Sequence, residues 1–192
     1  SLQKYFPNAL PSKATHLRTK AVLEEEFGFT PENTLLGSSF CPDEINHHGR
    51  DLPTVMRNYY GKIFPMGGIG GAPYVGETGF AAFSSHVADN GDIIVVFGPH
   101  VGISEAGEVG KYLREGQTED STACGAVIGA YQACMCSDGV TTPEMDPADM
   151  QMSEIKQEFT PHAEGISKTE NPMAACSYQA FEFVKDRMLK IV

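Results

Sequence analysis

Between Gly91 and Gly98 the chain runs Asp92-Ile-Ile-Val-Val-Phe97, a mostly β-branched apolar block closed by glycine on both sides. A run this short and this apolar offers water no polar face, so it predicts a strand buried on both faces of a parallel sheet. Pro99 and His100 follow at once. The imidazole is therefore expected at the strand's carboxyl end, where open α/β sheets gather their ligands. Two thiols are candidates to join it there: Cys41, reached after Thr34-Leu-Leu36, and Cys124, at the start of a helical pattern.

The rest of the chain supplies helices around such a sheet. Residues 12–27 have helical periodicity, with Leu17, Val22, Leu23 and Phe27 expected on one face, Ser12 as cap and Gly28 as terminator. Residues 34–40 read as the first strand, delivering Cys41 to a turn begun by Pro42. Residues 52–60 read as a helix with Pro53 in its first turn and Gly61 beyond its end. Further helices are expected over 77–87, from about 121 onward through Cys124, Val127, Ala130 and Tyr131, over 150–159, and over 171–190. Residues 1–11 are expected to form a surface arm, 102–120 a polar connection and 137–150 an exposed loop. This alternation predicts one α/β domain spanning residues 1–192, with a mainly parallel central sheet flanked by helices.

The glycine-rich stretch 64–76 invites a phosphate-binding reading and fails it. It has no Gly-Lys-Ser/Thr and no G-x-G-x-x-G between strand and helix, so it is expected to be a tight loop lining a pocket. Charge narrows the function further. A net charge of −11 and a pI near 4.9 disfavour nucleic acid and anionic membrane surfaces as partners. No apolar run reaches the roughly 20 residues of a membrane span, and Ser-Leu-Gln-Lys-Tyr-Phe6 does not read as a signal peptide. The five cysteines are odd in number, dispersed and without a CxxC pair, which argues against a disulfide framework or a zinc ribbon. Cys134, Cys136 and Cys176 are expected to pack as small hydrophobes.

Cys41, His100 and Cys124 have the number and chemistry of the three protein ligands of a catalytic zinc, whose fourth position stays open for water. A helix N-terminus would favour the Cys124 thiolate. Asp43, two residues beyond Cys41, is placed to orient that water or to become a fourth ligand. To leave the metal open it needs a cationic partner, and Arg50 and Arg114 are the candidates.

These residues resemble a known family. Cys41-Pro-Asp43 is similar to the Cys-x-Asp start of the β-carbonic anhydrase site. Ile-Val-Val-Phe-Gly-Pro-His100 and Cys124-Gly-Ala-Val127 resemble two halves of that family's Gly-His-x-x-Cys-Gly-Ala-Val signature, here set far apart. The separation, the glycine-rich loop, Cys41-Pro-Asp-Glu-Ile-Asn46, Thr78-Gly-Phe-Ala-Ala-Phe-Ser-Ser-His86 and Gly98-Pro-His-Val-Gly102 resemble the limiting-CO2-inducible protein B/C family, related to θ-type carbonic anhydrases. The resemblance covers roughly residues 34–133. It implies a β-carbonic anhydrase-like fold, zinc held by Cys41, His100 and Cys124, and Asp43 orienting the water. Ile45 stands where the β pattern has an arginine, so Arg50 is the first choice for the partner of Asp43 and Arg114 the second. His86 also matches a family position, but as a predicted helix end it is the weaker alternative to His100. His47 and His48 are expected in a solvent-exposed turn.

The resemblance further implies zinc-dependent hydration of CO2 to bicarbonate by a metal-bound hydroxide, a homodimer or a hetero-oligomer with a paralogue, and a chloroplast location within a CO2-concentrating mechanism. Two other readings compete. One is a catalytically silent member of the fold that senses CO2 or bicarbonate, or forms a complex. The other is a cysteine-nucleophile enzyme acting through Cys124.

Overall fold

In the computed structural model, which describes residues 2–47, 49–136 and 143–192, the sheet is built from three parallel strands. They are β1 (Thr34–Ser39), β2 (Ile63–Pro65) and β3 (Asp92–Phe97), in the order β2-β1-β3. Leu36 of β1 pairs with Ile63 on one side and with Ile94 on the other. Parallel neighbours need crossover connections, and the helices supply them. These are α1 (Leu2–Tyr5), α2 (Ser12–Phe27), α3 (Leu52–Tyr60), α4 (Gly76–Ser84), α5 (Gly125–Cys136), α6 (Met150–Phe159), α7 (Ala163–Ser167) and α8 (Pro172–Ile191). Helix α3 connects β1 to β2, and α4 connects β2 to β3. A second, two-stranded antiparallel ribbon joins β4 (Lys111–Tyr112) to β5 (Ser121–Thr122). Among the described residues, no helix is long and apolar enough to cross a membrane.

The strand order places the functional end of the molecule. From β1 the chain crosses to one edge, and from β2 it returns to the other. The carboxyl ends of β1 and β3 are thus neighbours whose following loops diverge, the switch point at which open α/β sheets bind ligands. Ser39 pairs with Phe97, so Cys41 and His100 emerge side by side two and three residues later.

Alternation along β1 divides the core. Leu36 is fully buried with Met56 and Tyr60 of α3 and with Ile94. Gly37 points the other way, where a Cβ would lie 2.3 Å from the Met66 side chain and 2.9 Å from that of Phe83 in α4. A larger cluster gathers α5 to α8 around Phe159, Ile155, Val127 and Ala180, and Cys41 and Cys124 belong to it.

The glycine-rich stretch is a close-packed backbone support. A Cβ on Gly67 would meet the Phe40 carbonyl oxygen at 2.2 Å, and one on Gly71 would meet that of Gly98 at 2.4 Å. Gly71 also has φ 85°, a left-handed conformation that favours glycine. The loop therefore lies directly against the ends of both ligand-bearing strands, and the Ser39 hydroxyl donates to the Gly71 carbonyl at 2.8 Å.

Several expectations need correction. Among the described residues β3 is an edge strand, and along it only Ile94 is buried while its neighbours are half-buried. The start of the glycine-rich stretch pairs as β2, with Pro65 on an edge where a missing N–H is tolerated. Helix α2 buries only part of its expected face: Leu23 packs against the cluster around Leu36, whereas Leu17 and Phe27 are 53% and 63% exposed. It also packs His16 against the rings of Tyr59 and Tyr60, at 5.4 and 6.3 Å between centroids. Residues 121–124 lie outside α5, because Ser121 and Thr122 pair with β4. Helix α7 was not anticipated. Of the three packing cysteines, Cys176 is buried, Cys134 half-buried and Cys136 exposed. The arm over residues 1–11 contains α1 and lies on α8, where Phe6 stacks on Tyr178 and the Tyr178 hydroxyl donates to the Tyr5 carbonyl. Of the loop expected over 137–150, residues 137–142 lie outside the described part, and 144–149 are exposed.

Candidate metal centre

Three separate segments deliver the candidate ligands. Cys41 follows β1, His100 follows β3, and Cys124 immediately precedes α5, with a cis peptide joining it to Ala123. Their candidate ligand atoms all lie within 4.8 Å of one another. The two sulfurs are 3.9 Å apart, far beyond a disulfide bond of about 2.05 Å. Two zinc–sulfur bonds of about 2.3 Å at a tetrahedral angle put the sulfurs about 3.8 Å apart, so the donor pair fits that metal. The imidazole fits as well. Its Nδ1 contacts the Asn46 side chain, while Nε2 is buried without a hydrogen-bond partner among the described residues. An orphaned ring nitrogen beside two buried thiols is a donor set that suits a soft divalent cation.

The electrostatics agree. Contact with Cys124, which can donate its S–H, pulls the Cys41 thiol well below the usual range, and backbone N–H groups of Asp43 and Gly70 assist against burial. The same contact, together with burial, pushes Cys124 far up, although the N–H groups of Val127 and Ala126 at the start of α5 oppose this. The two thiols are thus coupled, with Cys41 the more readily ionised of the pair, and a bound cation would require both to give up their protons. Burial lowers the pKa of the His100 imidazole despite an opposing pull from the Asp43 carboxylate, and so favours the neutral ring that a metal needs.

Asp43 stands beside this group. It caps the 3₁₀ turn Glu44–Asn46, with Oδ1 accepting from the Ile45 N–H at 3.2 Å. Its Oδ2 accepts from Arg114 Nη2 at 2.9 Å and lies 3.5 Å from His100 Nε2. Arg114 also donates through Nε to Glu44 at 2.6 Å and through Nη1 to the Thr122 carbonyl at 3.2 Å and the Ser121 hydroxyl. One guanidinium therefore ties the Asp43 turn to the strand that leads into Cys124.

The structure reverses the expected order of the two arginines. Arg50 is exposed and lines a different hollow, with Asn46, Leu52 and Pro99, because its segment turns away to start α3 behind the Asp51 cap. Arg114 reaches Asp43 because the β4–β5 pairing folds residues 111–122 back over the site. His86 lies beyond α4 with its ring 6.2 Å from Phe64, outside the Cys/His/Cys group. His47 is exposed, and His48 lies outside the described residues. Sequence reasoning assigned no role to Asn46, whose amide donates to the Cys41 carbonyl at 2.9 Å while touching His100. Its place in Cys-Pro-Asp-Glu-Ile-Asn46 was the only signal.

An open hollow of about 570 Å³ borders the site, lined by Cys41, Asp43, Arg114 and Cys124 and by the apolar Ile69 and Ala126. With this geometry established, comparison with known proteins is decisive. The family of limiting CO2-inducible proteins B/C, described as β carbonic anhydrases, matches residues 9–192. The chain belongs to this family. Among solved structures it is similar to PtLCIB4, a homolog of the limiting CO2-inducible protein LCIB, at TM-score 0.89 and 30% identity, covering 99% of this chain and 77% of that one. The H88A mutant of PtLCIB4 matches at the same TM-score and identity, covering 99% and 75%. LCIB itself matches at TM-score 0.75 and 24% identity over 99% of this chain and 77% of that one, a likeness that speaks for the fold alone. No curated protein matches the chain. As a limiting CO2-inducible B/C protein, the chain is related to the carbonic anhydrases and carries a Cys/His/Cys group able to hold a metal.

Proposed function

We propose that this protein is a zinc enzyme interconverting CO2 and bicarbonate, with Cys41, His100 and Cys124 as ligands and Asp43 and Arg114 as the pair that keeps a coordination position open. One observation carries the reading. Both oxygens of Asp43 are engaged, by the Ile45 N–H and by Arg114, so the nearest carboxylate is restrained from becoming a fourth ligand. A bound zinc supplies a Lewis acid that lowers the pKa of water to about 7.

The chain's own residues account for the rest. Asp43 Oδ2 keeps acceptor capacity beside His100 and can orient a water there. Ile69 and Ala126 offer CO2 an apolar wall, while Arg114, Gln117 and Thr122 line the same hollow with groups suited to an anionic product. The start of α5 points its partial positive end toward that side. The proton released on hydration leaves to buffer through the open hollow. Assembly as a homodimer, or with a paralogous chain, and placement in the chloroplast belong to the same reading.

The test is stopped-flow CO2 hydration by zinc-loaded protein and by Cys41→Ser. Hydration by the parent and its loss in the variant support the reading. A parent that holds stoichiometric zinc and hydrates no CO2 would overturn it in favour of a sensing or complex-forming role.

A further inference from the structure

We propose that Asn46 is a positioning residue that presents His100 to the metal, serving as an adaptable partner for the ring's Nδ1 so that Nε2 coordinates. The inference rests on the zinc reading above. His100 sits on the loop after β3, and the turn that grips its ring comes from the other ligand strand. Side chains three apart on a 3₁₀ turn project to the same side. In the turn after Cys41 these are Asp43 and Asn46, joined by the Asn46 N–H donating to the Asp43 carbonyl at 3.0 Å. Asp43 Oδ2 lies 3.5 Å from Nε2, and the Asn46 amide meets Nδ1. One turn therefore contacts both nitrogens of the ring. Its amide also donates to the carbonyl of Cys41, tying the first ligand to the second.

The choice of an amide follows from imidazole chemistry. A neutral ring has one N–H and one bare nitrogen. In the structure the amide Nδ2 faces Nδ1, the arrangement for a bare Nδ1 with the proton on Nε2. Coordination through Nε2 requires the opposite tautomer, with the proton on Nδ1 seeking an acceptor. Asn46 can serve either tautomer, because a half-turn of its amide exchanges donor for acceptor at Nδ1, giving up the bond that the same Nδ2 makes to the Cys41 carbonyl. Partners of this kind fix the orientation of metal-bound histidines, and their loss costs roughly 10–100-fold in metal affinity.

Two variants separate this role from simple support of the Cys41 carbonyl. Asn46→Leu keeps the shape without polarity, and Asn46→Asp keeps an acceptor for Nδ1–H without a donor for Cys41. Zinc affinity is read by chelator competition, and the His100 tautomer in zinc-loaded protein by ¹⁵N NMR. Metal-free melting temperatures confirm that each variant folds. We expect Asn46→Leu to bind zinc about 10–100-fold more weakly, and Asn46→Asp to keep the parent's affinity with Nδ1 protonated. Unchanged affinity in Asn46→Leu, or Asn46→Asp as weak as Asn46→Leu, would overturn the role while leaving the zinc reading intact. A parent that binds no stoichiometric zinc would overturn both.

Discussion

Replacing Arg114 by methionine removes the positive charge and keeps most of the aliphatic stem. The Arg114 and Asp43 side chains are only 20% and 12% exposed, so their 2.9 Å contact is a shielded, charge-assisted hydrogen bond. Loss of such a bond costs about 1.5–3 kcal/mol. The Glu44 contact adds little, roughly 0–1 kcal/mol, because that carboxylate is 69% exposed. Water can replace much of what Ser121 and Thr122 lose. The total is about 2–4 kcal/mol. At roughly 2–4 °C per kcal/mol for a domain of this size, melting should fall by about 4–16 °C.

The functional effect should run in a different direction from a simple loss of metal. Without Arg114 only the Ile45 N–H on Oδ1 still holds the Asp43 carboxylate, and Oδ2 is freed toward the ligand group, so zinc affinity should hold or rise while hydration falls by about 10²–10³-fold. Arg114→Lys offers one point charge in place of a fork and should fall between the two. Differential scanning fluorimetry, chelator competition and stopped-flow hydration read the three quantities. Arg114→Met with parental melting and parental hydration would refute the assignment of Arg114 as the partner of Asp43.

Three more predictions concern the supports of the site. Gly71→Ala must strain a φ of 85° and displace the Gly98 carbonyl, so it should cost about 1–3 kcal/mol and weaken zinc binding; parental melting and affinity would contradict the tight apposition of the two loops. Gly61→Ala has an equally unfavourable φ of 93° but nothing within 4 Å, so it should cost less and leave zinc affinity alone, which the same two assays check. His16 is 7% exposed, its Nδ1 has no hydrogen-bond partner among the described residues, and burial with help from Lys20 lowers its pKa. The unfolded chain therefore binds the proton more readily. The stability of the neutral ring is present above pH about 6.5 and is lost as pH falls below it. His16→Phe should lose less melting temperature than the parent between pH 8 and pH 5.5, and parallel losses would exclude this contribution.

What the sequence revealed depended on local chemistry. Helix α2 ends as expected because Gly28 takes a left-handed φ of 72° beyond Phe27, and α3 starts as expected because Pro53 suits its first turn. The apolar blocks after Thr34 and Asp92 were legible as strands, and from them the convergence of Cys41 and His100 followed. What stayed hidden was set by pairing between distant segments. β2 is three residues long, and β4 and β5 are two each, too short for any periodicity, yet the β4–β5 ribbon decides that Arg114 rather than Arg50 meets Asp43. The face of α2 was misread in part because two tyrosines of α3 attract a histidine, a lysine and a glutamate beside Leu23, leaving Leu17 and Phe27 exposed. Asn46 acquires its role only when the turn after β1 is set against the loop after β3.

The central claim is that Cys41, His100 and Cys124 jointly hold one zinc with a position to spare. X-ray absorption at the zinc edge on stoichiometrically loaded protein measures this directly. The account predicts two sulfurs at about 2.3 Å and one or two lighter atoms at about 2.0–2.1 Å, with one sulfur lost in Cys124→Ser. A shell made only of nitrogen and oxygen, or one unaltered by that substitution, would contradict it.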